Sequence, residues 1–138
     1  MSDKGQELIE KLKSAGLTPE VVSRWQEEYF YREKESRPYN QKDLDNLEEC
    51  GSSGDLSLEV LEQIGEIKME DSGGTYHDGS TFWKVFRFEK FGVSLGCQAT
   101  YSSWDSSYFT NKWKEVTPKS VVISKWFDEE GNDLDTEL

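Results

Sequence analysis

The sequence predicts an α+β domain in which N-terminal helices pack on a four- or five-stranded antiparallel sheet formed by the C-terminal half. Three observations carry this. Apolar residues recur at three- and four-residue steps through residues 1–65, as an amphipathic helix requires, and then alternate with polar ones in the segment 66–127. No helical pattern separates the later strands, so neighbours in sequence pair antiparallel as a meander. At 138 residues the chain has the length of one domain around one core, here residues 1–127, with 128–138 an acidic flexible tail.

The helices follow in chain order. Leu8, Ile9 and Leu12 share one helical face, and Ala15-Gly16 ends that helix because glycine takes the left-handed conformation that closes a helix. Thr18-Pro19 restarts one, threonine as N-cap and proline in the first turn, with Val22, Trp25 and Tyr29 as the inner stripe. Tyr29, Phe30 and Tyr31 fan around a helix at about 100° per residue, so they cannot all face one core; Phe30 and Tyr31 are candidate aromatic anchors for a partner. Arg37-Pro38 closes this helix. Asn40, with Asp43 three residues on, caps a third helix around Leu44 and Leu47, and a fourth covers residues 57–64 with Leu58, Leu61 and Ile64 inward.

The strands begin with a weakly specified segment at 67–69, followed by a polar Gly-rich loop over 72–80. The run FWKVFRF (82–88) sets Phe82, Phe86 and Phe88 on one face and Trp83 and Val85 on the other, which marks a central strand with both faces seeking cover. Val93, Leu95, Cys97, Ala99 and Tyr101 alternate with Ser94, Gly96, Gln98, Thr100 and Ser102, so this strand is half-buried with one partly solvated side. Residues 113–116 form a short strand stopped by Pro118, and 120–127, rich in β-branched residues, a last one.

YSSWD (101–105) and WKEVTPKSVVISKW (113–126), following an aromatic strand, resemble the C-terminal half of small uncharacterised proteins of tailed bacteriophages. The resemblance covers about a third of the chain and rests on a strand pattern. It implies origin and not activity, and carries over no catalytic residue.

Composition limits the function classes. Residues 1–70 hold 9 basic and 17 acidic side chains, 71–127 hold 7 and 5, and 128–138 hold 0 and 6, giving −8, +2 and −6 and a net charge of −12. Direct nucleic-acid binding is disfavoured, because phosphate contacts need lysine and arginine to displace counterions; a basic protein partner is favoured instead. No apolar run reaches the ~18 residues of a membrane span and none suits a signal peptide, so a cytoplasmic protein is expected, that of the infected bacterium if phage-encoded. In that compartment Cys50 and Cys97 are expected as free thiols.

His77 is the sole histidine, which excludes multi-histidine metal sites and two-histidine phosphoesterase chemistry, and it reads as a solvated loop residue. No catalytic residue, metal site or cofactor is assigned. The remaining candidate is a set of acids. Asp55, Glu59, Glu62 and Glu66 recur at steps of four, three and four, so a helix covering them would line them along one face, with Asp45, Glu48 and Glu49 on the helix before. Such a rail of charge imitates nucleic-acid phosphates. The function expected is a non-enzymatic interaction protein, a phage-encoded inhibitor of anti-CRISPR or other anti-defence or host-takeover type, that blocks a basic nucleic-acid-binding surface of a host protein. The alternative is a small nuclease-like metal-dependent enzyme: Asp55 with Glu66-Ile67-Lys68 has the acid and E-x-K spacing in which carboxylates hold Mg²⁺ and lysine assists the attacking water.

Overall fold

A computed structural model describes residues 2–30, 38–74, 79–102, 108–120, 124 and 126–132. It is α+β, with the helices in the first half and an antiparallel sheet in the second. Helix α1 (Asp3–Ser14) is capped by Ser2, whose hydroxyl accepts from the Gly5 N–H, and ends at Ala15 and Gly16. Gly16 has a φ of 70° and lies so close to Gly54 that a Cβ there would come within 2.4 Å of the Gly54 nitrogen. Glycine is therefore required twice over, by conformation and by space.

Helix α2 (Pro19–Trp25) starts on the Thr18 cap with Pro19 in its first turn and continues into a π turn over Gln26–Phe30. Helix α3 (Gln41–Glu49) opens with a reciprocal capping box between Asn40 and Asp43, and α4 (Leu58–Ile64) runs from its Ser57 cap to Gly65, where φ is 80°. Each start falls where a side-chain oxygen meets the first free N–H groups, and α1, α3 and α4 end at glycines of positive φ, Gly16, Gly51 and Gly65.

The sheet holds β1 (Ile67–Gly74), β2 (Thr81–Phe88) and β3 (Val93–Thr100) in that order, with β4 (Tyr108–Phe109) and β5 (Lys114–Glu115) both on the far edge of β3. Ala99 pairs with Phe109 and Gly96 with Lys114, so β4 and β5 are two pieces of one interrupted fourth strand. A bulge between Met69 and Asp71 bends β1. The polar loop expected at 72–80 is corrected: residues 72–74 belong to β1, pairing with Lys84, Trp83 and Phe82. Glycine there is explained by the Trp83 indole, which a Cβ on Gly73 would meet at 2.4 Å. Residues 75–78, including His77, lie outside the described residues. So do 121–123 and 125 of the last expected strand; among its described residues Phe127 makes an isolated bridge.

The inner face of the sheet carries Phe82, Phe86 and Phe88 from β2 and Val93, Leu95, Cys97 and Ala99 from β3, all buried; Phe86, Phe88, Val93, Leu95 and Cys97 share one core with Leu8, Leu12, Val22, Trp25, Leu61 and Ile64 of the helices, while Phe82 meets Phe109 edge-on at 5.9 Å. Trp113 joins them: its ring meets Phe86 and Phe88 edge-on at 5.8 and 6.1 Å, and its N–H donates to the Leu17 carbonyl at 3.0 Å. Fixing these large rings contributes both buried area and directional ring contacts. The outer face is different. Of the side of β3 expected to be partly solvated, Gln98 and Thr100 are exposed but Ser94, whose hydroxyl donates to Glu70, and Gly96 are buried; Trp83 remains 36% exposed and Val85 half-buried, so the expectation that both faces of β2 are covered is met only on the inside.

Candidate functional site

The acids singled out in the sequence are divided among two helices and their flanks. Asp45, Glu48 and Glu49 stand exposed on α3, whose Asp43 and Leu47 are buried and which packs on α2. Helix α4, which packs on α1, covers only Glu59 and Glu62, both exposed. A single helical face from Asp55 to Glu66 is thus not formed. Asp55 precedes the Ser57 cap, its backbone N–H held by the Ser14 carbonyl at 2.7 Å, and Glu66 follows the glycine that ends the helix. The step pattern of four, three and four ignores both helix boundaries, which is why it misled.

Local partners further sort these carboxylates. Glu49 accepts the Tyr29 hydroxyl at 2.7 Å, and this bond is the main reason the phenol is pushed up to about 12. Glu66 lies 3.8 Å from Lys68, so the acid and lysine of the metal-nuclease pattern are joined as an ordinary exposed ion pair. Among the described residues no group of three histidine, cysteine or carboxylate side chains is placed to hold a metal ion. Lys90 donates to the Glu62 carbonyl at 2.6 Å, and Lys11 to Gln63 at 3.4 Å, so two cations sit by the C-terminal end of α4, where the helix dipole favours them. Asp45, Glu48, Asp55, Glu59 and Glu62 are exposed and, among the described residues, have no lysine or arginine at ion-pair distance.

Of the two aromatic candidates, Phe30 closes the π turn and its side chain, like all of Tyr31, lies outside what is described. The π turn itself has a clear local role. It directs Gln26, which is buried, to the Ile67 carbonyl at 3.0 Å and Glu27 to Lys84 at 2.5 Å. An extra residue in a helical turn re-aims the side chains around it.

Lys84 is the polar residue that sequence reasoning passed over. It lies between Phe82 and Phe86 on the inner face, its side chain only 7% exposed, with Ser23 at 2.6 Å and Glu27 as its partners. Period-two alternation does place it inward, and that was the available signal. Its cross-strand neighbour is Cys97, whose thiol burial pushes up to about 11 although the Lys84 charge opposes this. Cys50 is likewise buried and raised by desolvation, so neither thiol is primed as a nucleophile.

No family model, curated protein or solved structure matches the chain. No helix among the described residues is long and apolar enough to cross a membrane.

Proposed function

We propose that the protein is a non-enzymatic binding protein that sets the exposed carboxylates of α3 and α4 against a basic, nucleic-acid-binding surface of another protein and so blocks access to it. The observation that carries the reading is that Asp45, Glu48, Glu59 and Glu62 are solvent-exposed and un-neutralised among the described residues, in a chain of net charge −12. Exposed charge of one sign steers a partner of the other and sets the on-rate. The resemblance of the C-terminal half to tailed-phage proteins adds the setting: a host protein as target, with a defence complex or a takeover enzyme as the kinds that fit.

The test is affinity capture from bacterial lysate at low salt, followed by binding measurements on the retained protein. A nucleic-acid-binding protein is expected, displaced by competing DNA or RNA, with an on-rate that falls markedly between low salt and several hundred millimolar. The variant Asp45→Asn, Glu48→Gln, Glu59→Gln, Glu62→Gln keeps side-chain size and should bind at least about tenfold more weakly while folding normally. Binding indifferent to salt and to this variant would remove the proposal.

A further inference from the structure

The outer face of the sheet is organised along its cross-strand rows. One row reads, from edge to edge, Asp71 on β1, Val85 on β2, Gly96 on β3 and Lys114 on β5, since each residue is the register partner of the next. In chemical terms this is an anion, an apolar side chain, a glycine beneath Val116 and a cation. Three inter-strand steps of about 4.8 Å separate its ends, so the charges stand roughly 14 Å apart. Asp71 and Lys114 are exposed, and neither has an ion-pair partner among the described residues.

The surroundings repeat the pattern. Trp83 and Val85 with Val116 form an apolar centre, and a hollow opens on each side of it. One, of about 270 Å³, lies over Gly96 and is bordered by Lys112 and Lys114. The other, of about 280 Å³, is bordered by Glu70 and Asp71. Gly96 lies in the floor of the first, beneath Val116, whose methyl group a Cβ on Gly96 would meet at 3.0 Å.

We infer that this face pairs with a second copy of the chain. A two-fold axis parallel to the strands and midway between β2 and β3 exchanges the edges of the row, bringing Asp71 opposite the second copy's Lys114 and Val85 opposite its Gly96. Both contacts then occur twice, as an isologous interface requires. Packing of this kind keeps the strands of the two sheets within about 30° of each other and buries the apolar centre between them. The half-exposed Trp83 lies near that centre, where aromatic side chains contribute most to association. A partner of uniform charge would meet repulsion at one edge, whereas a second copy meets the opposite charge at both. The inference is independent of the acidic face on α3 and α4.

Sedimentation velocity of the full chain from about 1 to 200 µM tests it. A species of twice the 16.0 kDa chain mass should accumulate with concentration. Asp71→Lys alone places lysines opposite each other twice, and Lys114→Asp alone places aspartates so; each should raise the dimer dissociation constant at least about tenfold, with an unchanged circular dichroism spectrum. Mixing the two variants restores both opposite-charge contacts, so a heterodimer should form where neither variant dimerises alone, and the doubly substituted chain should dimerise again. A wild-type chain that stays monomeric over this range overturns the inference. So does a dimer unaffected by either reversal, or one that mixing does not restore.

Discussion

The two faces of one sheet, built from alternate residues of the same strands, behave as different materials. On the inside, Phe82, Phe86 and Phe88 are at most 4% exposed and even a lysine is enclosed; on the outside, Trp83 and Val85 stand over hollows beside open charges. Lys84 and Lys114 make the contrast sharp. Both are lysines of the same sheet, yet one is held by Ser23 and Glu27 while the other has no ion-pair partner among the described residues. What separates them is the layer of helices. An ammonium is enclosed only where an element such as the π turn brings it a carboxylate, and among the described residues none brings one to Lys114.

The comparison breaks most visibly on the inside. Phe86→Ala should cost about 3–5 kcal/mol by chemical denaturation, because the cavity would lie among Trp113, Leu95 and the helices with little room to collapse. A loss below about 1 kcal/mol would show that the inner layer is loosely packed.

Next comes the enclosed ion pair, where the two partners should respond unequally. Glu27→Ala leaves the Lys84 ammonium without its carboxylate and should cost about 2–3 kcal/mol, less than a fully buried pair because the Glu27 side chain is 65% exposed. Lys84→Met leaves an exposed carboxylate that water can solvate but also takes the partner from the buried Ser23 hydroxyl, and should cost about 1–2 kcal/mol, less than Glu27→Ala. Equal losses would mean that the pair holds the π turn in place rather than merely neutralising a charge.

A smaller effect is expected outside. Gly73→Ala pushes a methyl group into the Trp83 indole and should destabilise by about 1 kcal/mol while changing the tryptophan emission, since the ring must swing away from the sheet. An unchanged spectrum would show that Trp83 does not lie against β1 in solution.

The smallest effects are in pH. Hydrogen bonds from Ser2 hold Glu115 below its ordinary value of 4.5, and the Asn132 backbone N–H, first among several, holds Asp128 below 3.8. A depressed carboxylate contributes stability that is present above the ordinary value and lost as pH falls through the folded one, so the melting temperature should decline below about pH 4.5. Glu115→Gln should flatten part of that decline. Cys97 has the opposite sign: its raised thiol contributes stability present below its ordinary value of 9 and lost as pH rises toward about 11. Thiol labelling at pH 8 should accordingly follow global unfolding rather than precede it.

The helix boundaries were legible because capping is local. Thr18, Asn40, Ser57 and the glycines at 16 and 65 state them within four residues. So was the inward set of β3, which strict alternation fixes. The placement of the acids was less legible, since charge spacing carries no information about where a helix ends, and Asp55 and Glu66 fall outside α4. The π turn was not legible at all: nothing in QEEYF distinguishes it from a continuing α-helix, and the demand that Gln26 reach Ile67 and Glu27 reach Lys84 comes from β1 and β2, some 40 and 57 residues away. The row from Asp71 to Lys114 on the outer face was hidden for the same reason, because register joins β1 to β5 only through β2 and β3.

The seams that close the molecule tie its earliest residues to its latest strand. Ser2 is bonded to Glu115 and the Leu17 carbonyl to Trp113, across 113 and 96 positions of the chain. During synthesis at about 5–20 residues per second, the first two helices leave the ribosome roughly 5–20 s before the residues that complete their surroundings. For that interval Leu8, Leu12 and Trp25 have no sheet to lie on. The nascent chain therefore carries an apolar helical segment awaiting its cover.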